Sequence, residues 1–240
     1  MQIIDTHIHL QDFKADIAPP VLENPAAMRL VTVSATTSDF AKIAALAKTY
    51  PDKIVPAFGI HPWHWREGAD IDELKDYLHR HPNALIGEIG VDGLKEPSGE
   101  GQAQLFAAQL KLAQEFSRPV IIHAARAFPA LMQFENALKK VKFVHHGFVK
   151  NRELIKFINK TSGYFGLGAH FLKQEKAAAM FAEMPKEKIL FETDAPYQLR
   201  EETYNQTVQE NIAKLAAICG LPAAEMEELL IQNAKDFLKC

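Results

Sequence analysis

Short apolar runs rich in β-branched residues alternate along the chain with longer segments whose apolar positions recur at helical spacing. Most of the short runs are apolar on both faces, which is typical of strands buried in a parallel sheet. They predict eight strands, over residues 2–4, 29–34, 54–59, 85–90, 119–123, 142–146, 163–168 and 188–192.

The segments between these strands predict amphipathic helices. In residues 70–81, for example, Leu74 and Leu78 lie on one face. Ser38 is expected to cap the helix that runs through Lys48. The other helices are predicted over residues 101–116, 128–138, 152–159, 173–184, 202–219 and 223–238. Regular alternation of strands and helices favours an α/β fold, either a single (β/α)8 TIM barrel or a doubly wound sheet.

Length and net charge limit the number of domains and the classes of protein that this chain could belong to. The 240 residues match one complete barrel, and no Gly/Ser/Pro-rich linker divides them, so we expect residues 1–240 to form a single domain. The formal net charge of −3 argues against the broad basic surface of a general nucleic-acid coat protein. It remains compatible with an enzyme that grips a few phosphates locally.

The cysteine content suggests a reducing compartment. Cys219 and Cys240 are the two cysteines, and they form neither a disulfide framework nor a zinc motif. The chain enters a strand at once, and no apolar run is long enough to span a bilayer. We therefore expect a cytoplasmic protein without a signal peptide, a membrane contact or an obligate protein partner.

Histidines and carboxylates stand where the predicted strands end. In a parallel barrel the carboxyl ends of all strands surround one mouth, where active sites are built. Residues from distant parts of the chain are therefore expected to converge there: His7, His9, His61, Glu88, His123, His146 and Asp194.

Two of these features suggest a bound metal. His7 and His9 are two residues apart, a spacing that puts both imidazoles on one face of extended backbone, where they can chelate one ion. Glu88 is a carboxylate in an apolar strand and needs a cation beside it. The alternatives are two surface histidines and a salt bridge from Glu88 to an arginine or lysine.

The other strand ends leave more alternatives open. His123 could be a core histidine bonded to a backbone carbonyl, and Asp194 could cap the following helix. His145 and His146 are adjacent, so only one of them can point into the mouth. Asp92 lies closer to a loop and is expected to be only structural.

Six segments together resemble the TatD-related metal-dependent deoxyribonucleases. They occur in that family's order and span nearly the whole chain: residues 4–10 (IDTHIHL), 59–62 (GIHP), 87–92 (GEIGVD), 120–123 (VIIH), 144–148 (VHHGF) and 190–197 (LFETDAPY). The resemblance implies a (β/α)8 barrel that holds two divalent ions, either zinc, manganese or magnesium.

The resemblance also implies a role for each residue. One ion would be held by His7, His9 and Asp194, the other by His123 and His146, with Glu88 shared between them. It selects His146 rather than His145, because a small residue and Phe148 follow. His61 would lie near the substrate phosphate, and Arg126 would bind substrate.

Three departures from the family pattern lie in predicted substrate loops. Gly93 stands where the family has an aromatic residue, and Ala125 stands where it has an arginine, so that Arg126 comes one residue late. Residues 198–208 contain no Gly or Pro, and only Asn205 resembles the family's loop. None of these positions is a predicted metal ligand.

These features predict metal-assisted hydrolysis with Asp194 as the base. The expected substrate is a DNA end, a short single strand or a small phosphodiester. An amidohydrolase acting on a C–N or lactone bond is the main alternative, although many such barrels carry a lysine in strand four where this chain has Glu88. A small-molecule phosphoesterase and a non-catalytic barrel are the others.

Overall fold

Eight parallel strands form one sheet in which each strand lies beside the next in sequence. The computed structural model describes residues 3–14, 18–24, 27–66, 71–95, 100–149, 151–198 and 203–239. The strands are β1 (Ile3–Ile8), β2 (Ala27–Val33), β3 (Ile54–Phe58), β4 (Leu85–Asp92), β5 (Val120–Ala125), β6 (Phe143–His145), β7 (Gly163–Leu167) and β8 (Ile189–Phe191).

The sheet curls until its first and last strands meet. The Asp194 N–H donates to the His7 carbonyl at 2.9 Å, and Thr6 Oγ1 donates to the Phe191 carbonyl at 2.8 Å. The buried Asp5 carboxylate strengthens this seam, because it accepts hydrogen bonds from the Thr193 hydroxyl and backbone N–H. The arrangement confirms the predicted (β/α)8 barrel and excludes the doubly wound sheet.

Helices follow the strands, and all but Ala18–Glu23 and Ala169–Leu172 overlap predicted segments. In the described part of the chain they are α1 (Ala18–Glu23), α2 (Thr37–Thr49), α3 (Ile71–Arg80), α4 (Glu100–Glu115), α5 (Phe128–Met132), α6 (Glu135–Leu138), α7 (Arg152–Asn159), α8 (Ala169–Leu172), α9 (Ala177–Phe181), α10 (Tyr204–Cys219) and α11 (Ala223–Leu238). Gln2, Asp70 and Glu202, where three elements were predicted to begin, lie outside the described residues. None of the helices in those residues combines the length and apolar character that crossing a membrane requires.

One helix predicted as continuous is interrupted, and another is shorter than predicted. Within residues 128–138 the N–H groups of Gln133 and Phe134 bond to carbonyls three residues back, which tightens the chain into a turn between α5 and α6. Within residues 173–184 only Ala177–Phe181 forms a helix, α9, and the N–H of Gln174 bonds to the Phe171 carbonyl three residues back. The predicted continuity of the first helix and the predicted length of the second are wrong.

The predicted cap of α2 is also wrong. Thr36, not Ser38, precedes the first helical residue, and Asp39 reaches back to accept the Thr36 N–H at 3.0 Å. This reciprocal capping box satisfies the exposed N–H groups at the helix start. Ser38 instead lies 2.6 Å from Thr36, hydroxyl to hydroxyl.

Apolar side chains fill the barrel interior toward the N-terminal ends of the strands. They alternate along the strands with side chains that pack against the outer helices, as strand geometry requires. The interior residues are Ile4, Val31, Val33, Val55, Ala57, Leu85, Ile121, Val144 and Leu190. Phe237 of α11 closes this layer from the N-terminal side, where Lys142, just before β6, donates to the Asp236 carbonyl. The carboxyl ends of the strands are left to polar residues.

Candidate metal centre

A bulge in β1 turns the His-x-His pair into the barrel. Between Asp5 and Ile8, β1 advances three residues while β2 advances two. The extra residue reverses the alternation, so Ile4 packs in the interior whereas Ile8 packs against the outer helices. His7 and His9 consequently face inward, with their Nε2 atoms 3.3 Å apart.

A second bulge does the same for the carboxylate of β4. Between Ile86 and Ile89, β4 advances three residues while β5 advances two, and both isoleucines pack in the outer layer. The two residues between them are Gly87 and Glu88. A Cβ at position 87 would lie 2.7 Å from Cβ of Ile121, so glycine is needed there. The bulge directs the Glu88 carboxylate into the mouth.

The two oxygens of Glu88 face two different pairs of imidazoles. Oε2 lies 3.4 Å from His7 Nε2 and 3.8 Å from His9 Nε2. Oε1 lies 3.0 Å from His123 Nδ1 and 3.6 Å from His146 Nε2. The carboxylate therefore stands between two sets of nitrogen atoms, in the arrangement a bridging ligand needs.

Asp194 completes the cluster from the end of β8. Its backbone adopts a left-handed conformation, with φ of 51°. Oδ1 lies 3.5 Å from Nε2 of both His7 and His9, and Oδ2 lies 3.8 Å from His146 Nε2. The Gln198 amide donates to Oδ2 at 2.8 Å, a contact that sequence reasoning missed.

The structure separates the adjacent histidines. Val144 packs in the barrel interior, and His146, two residues later, lies on the same side of the chain. His145 takes the opposite side with Phe143. Neither ring nitrogen of His145 has a hydrogen-bond partner in the described part of the chain. Of the two, His146 is the one that lies beside Glu88.

The carboxylates of Glu88 and Asp194 favour the ionised form. Burial alone would raise the pKa of Glu88, but neighbouring imidazoles, His146 foremost, hold it well below its usual range. Burial opposes the charge of Asp194 as well, yet His146 and His7 hold its pKa at about 2. Burial lowers the pKa of His9 to about 4, so that this ring is neutral at pH 7. Burial opposes the charge of His123 and His146 as well, but Asp92 and Glu88 raise the pKa of His123 to about 9, and Glu192 and Glu88 raise that of His146 to about 10. These two rings therefore compensate the carboxylates until an ion takes the place of their protons.

This donor set fits divalent cations. Three overlapping groups each bring their ligand atoms within 4.8 Å of one another: His7, His146 and Asp194; His7, His9 and Glu88; and His61, Glu88 and His123. Imidazole nitrogens and carboxylate oxygens are ligands for zinc and related divalent ions, and such ions would compensate the buried negative charge.

His61 differs from the other histidines in its hydrogen bonding. The Trp63 N–H donates to His61 Nδ1 at 3.1 Å, so the ring proton is on Nε2. That nitrogen lies 3.6 Å from Glu88 Oε1. In this tautomer His61 can donate a hydrogen bond at the edge of the cluster but offers no lone pair there.

Comparison with known proteins agrees with this geometry. Residues 4–239 match the model of the family described as TatD related DNase. The chain belongs to the TatD-related DNase family. This confirms the predicted family and the predicted enzyme class, a metal-dependent hydrolase.

Relatives of this TatD-family chain match it along most of their length. The metal-dependent hydrolase YjjV of Escherichia coli is 29% identical over 97% of this chain and 96% of its own. The crystal structure of YjjV, a TatD homologue, matches this chain with a TM-score of 0.85 and 26% identity. The match covers 98% of this chain and 97% of that one. Human deoxyribonuclease TATDN3 is 26% identical over 97% of this chain and 93% of its own. The 3'-5' ssDNA/RNA exonuclease TatD of Edwardsiella piscicida is 27% identical over 71% and 68%.

A cavity of about 630 Å³ opens above the cluster and is lined by both predicted substrate residues, His61 and Arg126. Large apolar side chains surround its mouth. Of the five large hydrophobic side chains exposed in the described residues, four line this cavity: Trp63, Leu94, Val149 and Tyr197.

Two departures from the TatD-family pattern depend on each other. Arg126 has a left-handed backbone with φ of 47°, and a Cβ at position 93 would lie 2.7 Å from its carbonyl oxygen. The Gly93 N–H also donates to the Ala125 carbonyl at 2.8 Å. An aromatic residue at position 93 is incompatible with this backbone, so the missing aromatic and the displaced arginine belong to one change.

Sequence reasoning underestimated two carboxylates. Asp92, expected to be only structural, lies in β4 with Oδ2 2.8 Å from His123 Nε2. Glu192 is buried just after β8 and lies 3.2 Å from His146 Nδ1. The signal for Glu192 was the one used for Glu88, a charge ending an apolar run, but it was not applied.

Proposed function

We propose that this chain hydrolyses phosphodiesters with two divalent ions bound at the barrel mouth. The observation that carries the proposal is the position of Glu88, whose two oxygens each face a separate pair of imidazoles. One ion would be held by His7, His9 and Asp194, and the other by His123 and His146, with Glu88 shared.

When bound, such ions lower the pKa of water and polarise the phosphoryl oxygen, and zinc, manganese and magnesium are the candidates. The chain supplies the base. Asp194 is ionised at neutral pH and opens onto the cavity, so it can take a proton from the attacking water. Gln198 holds Asp194 Oδ2 and thereby fixes the carboxylate plane.

The cavity supports a substrate with one phosphate and an adjoining flat group. His61 Nε2–H and Arg126 can donate hydrogen bonds to phosphate oxygens, and Trp63 presents an aromatic face beside them. A cavity of about 630 Å³ suits the end of a single strand rather than a duplex. The nucleases among the relatives support DNA ends or short single strands as the substrate.

The test is to incubate metal-loaded protein with end-labelled single-stranded and duplex oligonucleotides. We expect the single strand to be shortened from an end, the duplex to react slowly, and a chelator to stop both. The double variant His7→Ala/His9→Ala is the control and should be inactive. Hydrolysis of an amide or lactone through the same residues, with no phosphodiester cleaved, would overturn the proposal in favour of an amidohydrolase.

We also propose that residues 1–240 form one domain and that the protein acts in the cytoplasm. The single sheet and a family match over residues 4–239 support one domain. The low cysteine content supports a reducing compartment. Limited proteolysis and fractionation of cells would test the two statements.

A further inference from the structure

A buried glutamate, Glu192, contacts the His146 ring at Nδ1, the nitrogen opposite the one that faces Glu88. Glu192 follows β8 and is 1% exposed, and its Oε1 accepts the Gly147 N–H at 2.6 Å. The same oxygen lies 3.2 Å from His146 Nδ1. Because β7 lies between β6 and β8, the Glu192 side chain has to cross a whole strand to make these contacts.

Two glycines of the β7 segment leave room for that crossing. A Cβ at Gly166 would lie 2.1 Å from Glu192 Oε2 and 2.7 Å from its Cδ. A Cβ at Gly168 would lie 3.3 Å from Glu192 Cγ. Any side chain at position 166 would therefore displace the carboxylate from His146.

Packing does not account for this arrangement. Glu192 Oε2 is buried and has no hydrogen-bond partner among the residues that the structure describes. Removing a charged oxygen from water without a partner is unfavourable. A carboxylate oxygen in such a position is compensated when positive charge lies at His146, which an ion bound to that ring would supply.

His146 Nδ1 forms no hydrogen bond with the described residues, but Glu192 is the carboxylate beside it and therefore favours the tautomer protonated at Nδ1. In that tautomer the lone pair is on Nε2. Nε2 is the atom that lies 3.6 Å from Glu88 Oε1 and 3.8 Å from Asp194 Oδ2. A carboxylate behind a ligating imidazole both orients the ring and makes the nitrogen a stronger donor.

The histidines of the cluster are not supported equally. His123 also has a carboxylate behind it, since its Nε2 lies 2.8 Å from Asp92 Oδ2. By contrast, no ion pair joins His7 Nδ1 to a carboxylate of the described residues, since its contacts with Glu88 and Asp194 are made through Nε2. The Nδ1 of His9 faces only the neutral Gln11 amide, at 3.4 Å. Carboxylate support is thus confined to the half of the cluster formed by His123 and His146.

We propose that Glu192 is a positioning residue that acts through His146 and makes the His123–His146 half the tighter of two unequal ion sites. This rests on the proposed two-ion centre. Gly166 and Gly168 are needed for this role, because they leave space for the Glu192 side chain beside His146.

The test measures metal binding by titration calorimetry on the whole chain with Mn²⁺ and with Zn²⁺. Glu192→Gln keeps the shape and an acceptor oxygen but removes the charge. We expect it to weaken the tighter of the two sites by roughly 10- to 100-fold and to leave the weaker one within about twofold; weakening of the weaker site alone would contradict the inference. The exposed Glu187→Gln is the matched control and should change neither site.

Two further measurements separate positioning from folding. Gly166→Ala leaves Glu192 intact but displaces it, and should weaken the same site. Nitrogen-15 spectra of the zinc-loaded protein should show His146 protonated at Nδ1 in the wild type, and a mixture of tautomers in Glu192→Gln.

The outcomes distinguish this inference from the proposed function. Two ions in the wild type with unchanged binding in Glu192→Gln, or equal weakening of both sites, would overturn the positioning role and leave the two-ion centre intact. A single ion at saturation would overturn both. If metal binding changes at one site only while no phosphodiester is cleaved, the inference holds and the proposed reaction fails.

Discussion

The Trp63 indole donates its Nε1–H to Asp92 Oδ2 at 2.5 Å. That oxygen also lies 2.8 Å from His123 Nε2, so one carboxylate links exposed Trp63, which lines the cavity, to the cluster of histidines and carboxylates below it. Burial alone would raise the pKa of Asp92, but the hydrogen bonds from His123 and Trp63 hold it well below its usual range.

This contact changes the expectation for Asp92. We predict that Asp92→Asn lowers kcat/KM for phosphodiester hydrolysis by roughly 10- to 100-fold, because His123 loses the charged acceptor that orients it. The measurement is steady-state kinetics at saturating metal. The exposed Asp72→Asn is the control and should behave as the wild type. Unchanged kinetics for Asp92→Asn would return this residue to the purely structural role that its sequence position suggested.

Asp194→Asn should have a larger effect. The substitution keeps the size but removes the proposed base and a charged ligand, so we expect kcat to fall by at least about 100-fold. Kinetics and metal analysis are to be run on the same sample. Near-normal turnover with both ions bound would mean that another group accepts the proton.

Removing the metal ions should lower the melting temperature of the protein. Ionised Glu88 and Asp194 are buried together, and ions that bind only the folded chain stabilise it by mass action. For each ion present at about 100 times its dissociation constant, we expect the melting temperature to rise by roughly 5–10 °C above that of the chelated protein. Differential scanning calorimetry gives this difference. The His7→Ala/His9→Ala variant should show a smaller shift, and an equal shift would place the stabilising ions elsewhere.

The eight strands and the convergence of their polar ends could be predicted because both depend on features that the sequence carries directly, whereas the choice of a barrel over a doubly wound sheet came from the family resemblance. Apolar runs mark buried strands, and parallel strands bring their carboxyl ends to one mouth. His7 and Glu88 were found this way, although they lie 81 positions apart in the chain.

The local geometry behind that convergence could not be predicted. Strict alternation from Ile4 would have put Thr6 inside the barrel and His7 outside, and only the bulge in β1 reverses this. A bulge depends on how two neighbouring strands pair, which one strand's pattern does not reveal. The contact from Glu192 to His146 escaped for a similar reason, since it depends on Gly166 in the strand between them.

The last prediction concerns Trp63, which is exposed at the mouth of the cavity. Trp63→Ala should raise KM for thymidine 5′-p-nitrophenyl phosphate by about 5- to 150-fold, because stacking of a base on an aromatic side chain contributes about 1–3 kcal/mol. The KM for methyl p-nitrophenyl phosphate, which has no base, should change far less. Trp63→Phe should retain most of the wild-type preference. Met132→Ala removes an exposed hydrophobic side chain away from the cavity and is the control. Equal increases for both esters would show that Trp63 supports the loop rather than the base.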